Sequence, residues 1–259
     1  MSFVDQFTLR LRRGDGWFFS RARAIARGLM HANLPIPGLL KPAFRLLYES
    51  HYTVKYTFIR ACTYLYYEPI FRSRCERVGR HFQLWALPHV VGHTKIYIGD
   101  NVSIYGHMGV TSGRVYDDPV LQIGDGVDIG HNVFFTVNKG ILIEDEVNIA
   151  SHVHIMDSDA HPRDAGLRAQ KLPPFPDDVK PIRICKRAWI GIGSFIMKGV
   201  TVGEGAIIGS NSVVINDVPP FSVVLGNPAR VVVKDIRAKS ETPPTASPVL
   251  VGERSVSPV

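Results

Sequence analysis

The sequence predicts a mainly β protein: a parallel β-helix built of hexapeptide repeats, preceded by an N-terminal helical region. Three observations carry this prediction. Ile143, Ile149 and Ile155 are spaced by six, and after an interruption Ile184, Ile190, Ile196, Val202, Ile208 and Val214 are spaced by six again. A helix repeats near 3.6 residues and a half-buried strand at 2, so neither yields a strict six. A period of six marks short strands stacked coil upon coil. Four residues after most of these aliphatics comes a small or β-branched residue: Val147, Val153, Ala188, Ser194, Val200, Ala206 and Ser212. The aliphatic fills a narrow core, and the small residue lets the chain turn a corner, where Gly191, Gly203 and Gly209 also fall. Finally, the period lapses between Ile155 and Ile184, in a polar, proline-rich run containing His161. The coils on either side must still stack, so this run projects outwards. Long loops on rigid scaffolds are often functional.

Ahead of the repeats the text is helical. Trp17-Phe18-Phe19 leads into Arg21, Arg23 and Arg27 interleaved with Ala22, Ala24, Ile25, Leu29 and Met30. This spacing predicts a helix with one apolar and one cationic face, stopped by the prolines after Leu34. A second helix is expected from Lys41 to His51, and a third from about Thr53 to Cys75, bent or divided at Pro69. The hexads begin at Ile98 and Ile104, continue through Ile123, Ile129 and Phe135, and give about five coils between Ile96 and Val218. A turn at Asn216–Phe221 and a closing strand through Val223–Val233 follow. The expected organisation is a basic, aromatic helical region at 1–90, a β-helix domain at 91–235 with an excursion at 156–183, and a disordered Ser/Thr/Pro-rich tail at 236–259.

Charge is distributed unevenly. The 259-residue chain carries a formal net charge of +7. Residues 1–95 hold 15 Lys/Arg against 5 Asp/Glu, a balance of +10, so the rest carries −3. A basic front half suits an anionic partner such as a membrane surface or an anionic glycan or nucleotide; the competing reading is a solvated face. Aromatic, basic helices can lie in a membrane interface, or they can cap the open end of the coil, which a solenoid requires. Capping is expected of the third helix, and interface binding stays open for the first. No nucleic-acid-binding motif accompanies the charge, so nucleic acid is not an expected partner. Cys62, Cys75 and Cys185 form no CxxC pair, and their odd number fits a reducing compartment. No signal-peptide pattern and no apolar run long enough to span a membrane is evident, so a cytoplasmic location is expected, peripheral to the inner face of the membrane.

Several pieces occur together: Ala160-His161-Pro162, Ala188–Gly191, Lys198–Gly203, Ile208–Val214, Asp217–Pro220 and Gly226–Val231. In this order and spacing the chain resembles the hexapeptide-repeat acyltransferases. It is most similar to the maltose/galactoside O-acetyltransferases and the sugar O-acetyltransferases of exopolysaccharide and lipopolysaccharide biosynthesis. The resemblance covers about a third of the chain; the first ninety residues match loosely. It implies a left-handed β-helix, a homotrimer with active sites between subunits, acetyl-CoA as donor, no metal, and a glycan or nucleotide-sugar acceptor.

The resemblance also makes His161 the general base. An alcohol attacking a thioester must lose its proton, and an imidazole titrates in the range needed to accept it. Its other ring nitrogen wants an acceptor; Asp157, Asp159, Asp164 or a backbone carbonyl is available. The segment Met156-Asp-Ser-Asp-Ala-His161 is one residue longer than in the maltose-type enzymes, so the orienting group stays open. The competing reading is a structural loop histidine. By the same resemblance Trp189 walls the cleft, Ile192, Ser210, Ile215 and Asn216 contact the pantetheine arm, and Arg230 with Lys234 faces the 3′-phosphate region. Asn216 stands where the maltose-type enzymes commonly have lysine. Thr136 and Asn138 fall near positions that hold sugar hydroxyls.

Other readings remain. One is N-acetylation of an amino-sugar nucleotide by the same base. Another is a zinc lyase of the γ-carbonic-anhydrase type, which needs three converging histidines; His131, His152, His154 and His161 do not match that spacing. A third is a non-catalytic trimeric scaffold.

Overall fold

The computed structural model describes residues 2–32 and 35–237. It divides into two compact units, residues 1–56 and 57–259. The expected disordered tail lies, beyond Arg237, outside the described residues.

The first unit is helical. Helix α1 (Phe3–Arg13) opens on a capping box in which the Ser2 hydroxyl accepts from the Asp5 N–H and the Asp5 carboxylate accepts from the Ser2 N–H. It ends at Gly14, whose φ of 75° only glycine adopts without cost. Helix α2 (Trp17–Met30) is the predicted amphipathic helix. Helix α3 runs unbroken from Lys41 to Cys62, so the two helices expected at 41–51 and 53–75 divide elsewhere. A five-residue π-helical turn, Thr63–Tyr67, follows, and α4 spans Glu68–Arg74. Pro69 sits in the first turn of α4, where its missing N–H would be unpaired anyway. No described helix is long and apolar enough to cross a membrane.

The second unit takes in the end of α3, the π-helical turn and α4, and then the coil. Its first turn is β1 (Arg77–Val78), β2 (Gln83–Leu84) and β3 (His89–Val91); its second is β4 (Lys95–Ile98), β5 (Ser103–Ile104) and β6 (Met108–Ser112). The third is β7 (Val120–Ile123), β8 (Asp128–Ile129) and β9 (Val133–Val137), and the fourth β10 (Gly140–Ile143), β11 (Asn148–Ile149) and β12 (His154–Met156). After the excursion, which contains the short helix α5 (Ala165–Ala169), come β13 (Ile182–Ile184), β14 (Trp189–Ile190) and β15 (Phe195–Ile196), then β16 (Thr201–Val202), β17 (Ile207–Ile208) and β18 (Val213–Val214). Strand β19 (Val223–Leu225) adds in parallel to β17, and β20 (Arg230–Val233) closes against it antiparallel. Every third strand pairs in parallel, giving three sheets that form the faces of a left-handed β-helix. Among the described residues this makes six coils: the five expected between Ile96 and Val218 and one ahead of them. The coil begins at Arg77, within the stretch assigned to the helical region up to residue 90.

The hexad explains the core. On one face Val78, Ile98, Ile123, Ile143, Ile184 and Val202 stack in register; on the second, Leu84, Ile104, Ile129, Ile149, Ile190, Ile208 and Val224; on the third, Val90, Val110, Phe135, Ile155, Ile196 and Val214. From the second coil onwards all of these are buried. The small residues at the corners, from Val147 to Ser212, are buried too. At the open end, Phe71 of α4 is 1% exposed and stacks on Phe82 with ring centroids 6.0 Å apart. Arg72 donates to the Val78 carbonyl at 3.2 Å and Arg74 to that of Thr94 at 3.1 Å. The end cap expected of the third helix is thus made by α4.

Candidate active site

The excursion leaves the coil at Asp157 and returns at Lys180, where the Lys180 N–H donates to the Asp157 carbonyl at 2.9 Å. On the far side the Gly199 N–H donates to the Lys180 carbonyl at 3.0 Å. Asp157 and Lys180 therefore continue the interstrand ladder, and the intervening residues form a loop with a closed neck.

Asp157 is fully buried. Its carboxylate accepts from the backbone N–H groups of Asn138, Lys139 and Gly140 at 2.7–2.9 Å and from the Asn138 side-chain amide at 3.3 Å. Burial pushes its pKa up, and these four donors pull it back. Asp159 pairs with the Lys198 ammonium at 2.6 Å. Asp164 caps α5 by accepting from the Leu167 N–H at 2.8 Å. The expectation that Asp157 or Asp159 orients His161 is therefore corrected: Asp157 holds the neighbouring turn and Asp159 answers Lys198. His161 is exposed and has no hydrogen-bond partner among the described residues. It follows Ser158, fully buried and accepting from the Ala160 N–H at 3.0 Å, and Ala160, held at φ 62°. A non-glycine residue in that region costs free energy and persists only where surrounding contacts impose it.

Beside this turn lies a cleft of about 330 Å³, lined by Gly113, Arg114, Thr136, Asn138 and Ala160 among others. The loop that carries Arg114 is tied to the excursion, because Arg114 donates to the Lys171 carbonyl at 2.6 Å. Thr136 is half-buried and lines this cleft. Asn138 also lines it but is 2% exposed and spends its amide on Asp157, so its side chain supports the turn instead of reaching out. A larger hollow of about 670 Å³ lies over Glu144, Arg183, Cys185 and Glu204. It contains none of the predicted site residues, and its Arg183 pairs with Glu144 at 2.7 Å.

The predicted cofactor residues fall into three groups. Trp189, on the outer face of β14, and Ile192, at the next corner, are about half exposed, and Ser210 occupies the same corner one coil on, where the Asn211 N–H meets the Ile192 carbonyl at 2.8 Å. Ile215 and Asn216 lie past the far end of β18. Arg230 and Lys234 are exposed on and just after β20, paired with no acidic side chain among the described residues. None of them lines either of the two hollows described above. Sequence reasoning quoted Lys198 within a motif but missed its place at the neck of the loop; a lysine in the turn after β15 is visible in the text, its carboxylate partners are not. Among the described residues no three His, Cys, Asp or Glu side chains are arranged to hold a metal ion.

The model described as bacterial transferase hexapeptide (six repeats) matches residues 181–216. A probable acetyltransferase of Mycobacterium tuberculosis is 29% identical over 182 residues, covering 64% of this chain and 58% of its own. A putative acetyltransferase of Saccharomyces cerevisiae is 35% identical over 122 residues, covering 47% of this chain and 60% of its own. The chain thus spans less than two thirds of the length of these relatives. Among solved structures, a variant of the N-acyltransferase AntD from Bacillus cereus, in complex with dTDP and coenzyme A, superposes with a TM-score of 0.52 at 21% identity, over 66% of this chain and 90% of that one. That likeness is one of fold. In its repeat, its coil and its relatives the chain resembles the hexapeptide-repeat acyltransferases.

Proposed function

We propose that this protein transfers an acetyl group from acetyl-CoA to a hydroxyl of a sugar or glycan, in the building of a cell-surface polysaccharide. The observation that carries the reading is His161: an exposed imidazole without a hydrogen-bond partner among the described residues, held by a strained turn on a closed-neck loop that leads directly into the matched repeat. The hydroxyl oxygen attacks the thioester carbonyl while His161 takes its proton; the tetrahedral intermediate collapses, the C–S bond breaks, and the thiolate leaves with a proton returned by the imidazolium. A backbone N–H would steady the oxyanion. Thr136 in the neighbouring cleft would meet the acceptor. Trp189, Ile192, Ser210, Ile215 and Asn216 would line the pantetheine arm, with Arg230 and Lys234 at the phosphates, where a guanidinium donates two hydrogen bonds. Their place outside both hollows of the single chain fits a homotrimer whose sites form between subunits.

The exposed faces of α1 and α2 support peripheral association with an anionic membrane. Phe3, Val4 and Phe7 share one side of α1; Phe18, Ile25 and Leu29 share one side of α2, with Arg21 beside them and Arg27 on the opposite side. The two helices fold back on each other through Phe7 and Phe19, ring centroids 5.4 Å apart, and through Arg23, which donates to the Arg13 carbonyl at 3.0 Å.

Thiol release from acetyl-CoA against nucleotide sugars, amino-sugar nucleotides, free glycosides and lipid-linked glycans tests the function. His161→Ala should cut turnover by about two to four orders of magnitude while leaving the fold intact. Turnover that survives in a folded His161→Ala protein removes the base; no turnover with any acceptor favours the scaffold reading. Faster reaction of amino sugars moves the assignment to N-acetylation.

A further inference from the structure

We propose that Lys198 is a positioning residue for His161, acting as a cross-tie over the neck of the excursion; the inference rests on His161 being the base. Lys198 follows β15 and its side chain is 13% exposed. Its ammonium reaches the Asp159 carboxylate at 2.6 Å on the outgoing limb and that of Asp178 at 3.7 Å on the returning limb. Asp159 stands two residues before His161, and Asp178 two residues before Lys180, where the ladder resumes. One cation, rooted in the coil, thus ties together both limbs of the loop.

The tie has something to hold. Between Asp159 and His161 lies Ala160 at φ 62°, a conformation an alanine leaves unless its neighbours are fixed. On one side Ser158 is buried and bonded to the Ala160 N–H; on the other, Pro162 is buried. Lys198 fixes the residue between Ser158 and Ala160 through a charged hydrogen bond from a largely buried ammonium, and charged hydrogen bonds are stronger than neutral ones. Other contacts brace the loop farther out. Arg163 approaches Asp178 at 3.8 Å, and Arg168 donates to the Pro162 and Arg163 carbonyls at 3.1 and 3.0 Å. None of these touches the segment from Ser158 to Ala160.

The experiment uses the full chain and four variants: Lys198→Met, Lys198→Arg, Asp159→Asn and the Lys198→Met/Asp159→Asn pair. Lys198→Met should lower kcat by about tenfold or more with KM for acetyl-CoA within about twofold, because misplacing a reacting group costs rate before affinity. Lys198→Arg should recover most of the loss. The double variant should be no slower than the worse single one, since the two groups act through each other. Independently of turnover, the His161 ring resonances followed by NMR should shift in Lys198→Met and return in Lys198→Arg. Wild-type kcat in Lys198→Met together with unmoved His161 resonances overturns the proposal. If the wild-type chain transfers no acetyl group, the function proposed above fails, and the ring resonances still decide whether Lys198 holds His161.

Discussion

The helices of the first unit and the coil of the second are both rich in apolar residues, yet they dispose of them in opposite ways. From the second coil to the sixth the inward ladder positions are buried, whereas α1, α2 and α3 contain no buried residue. The coil solves its burial problem locally. Each aliphatic at the hexad position meets its equivalents in the coils above and below, so a six-residue period builds a core from a single chain. An amphipathic helix has no such recourse; its apolar side needs a surface to lie on. Phe3, Trp17, Leu29 and Leu47 are each more than 60% exposed, so the two regions differ in where the missing partner sits: within the fold for one, outside it for the other.

The largest test of this contrast removes one side chain from each region. Phe135 is fully buried between Val110 and Ile155 in the third sheet. Phe135→Ala should lower unfolding free energy by about 3–5 kcal/mol, the usual loss for a large core aromatic. Phe18→Ala, at 62% exposure in α2, should stay within about 0.5 kcal/mol. Denaturant titration of both variants measures the pair. A comparable loss at Phe18 would break the comparison and show that α2 packs against another copy of the chain.

The second test asks what covers the helices. Arg10, Arg12 and Arg27 have no acidic partner among the described residues. Each basic residue near an anionic bilayer contributes about 1 kcal/mol, so replacing the three with Gln should weaken binding to phosphatidylserine vesicles by about two orders of magnitude. Binding should also fall with added salt, and neutral vesicles should bind poorly. Vesicle co-sedimentation that is equally strong for the triple variant would make the basic charge irrelevant. No binding by the wild-type chain at low salt would leave α1 and α2 to pack on protein.

How much was legible follows the same division. The hexads named the coil because one residue type recurs at one spacing, and every inward position is a local fact of the text. Even the missed first coil was written there: Val78, Leu84 and Val90 are spaced by six and pair with Ile98, Ile104 and Val110. Trp85, Pro88 and His89 between them obscured the period. Helix α1 was missed because its charges drew attention from the Ser2/Asp5 box and Gly14 that delimit it. The candidate site was legible only in part. His161 declared itself by breaking the repeat, but the partners of Asp157, Asp159 and Asp164 could not be read, since they sit on the 138–140 turn, the turn after β15 and the first turn of α5. Those are contacts across coils or within a loop that has no period.

The smallest expected effect lies on the outer face of the coil, where a titratable ring shares a mostly aromatic row. His154 stacks between Phe134 and Phe195, with ring centroids at 6.0 and 4.8 Å. Burial lowers its pKa, and the nearby His152 lowers it further. His89 and His107 line the same depression. The unfolded chain, with an ordinary imidazole titrating near 6.5, therefore binds a proton before the folded one does as pH falls. The stability tied to a neutral His154 is fully present above that value and is lost as pH drops through the lower, folded pKa, because there the unfolded state carries more protons. His154→Phe keeps the stack and removes the titration. Denaturation midpoints taken from pH 8 down to pH 5 should decline less steeply for His154→Phe than for the wild type, with the two proteins differing least at pH 8. Parallel declines would mean that the outer face does not respond to acid through this ring, and that the coil is as insensitive on its surface as it is in its core.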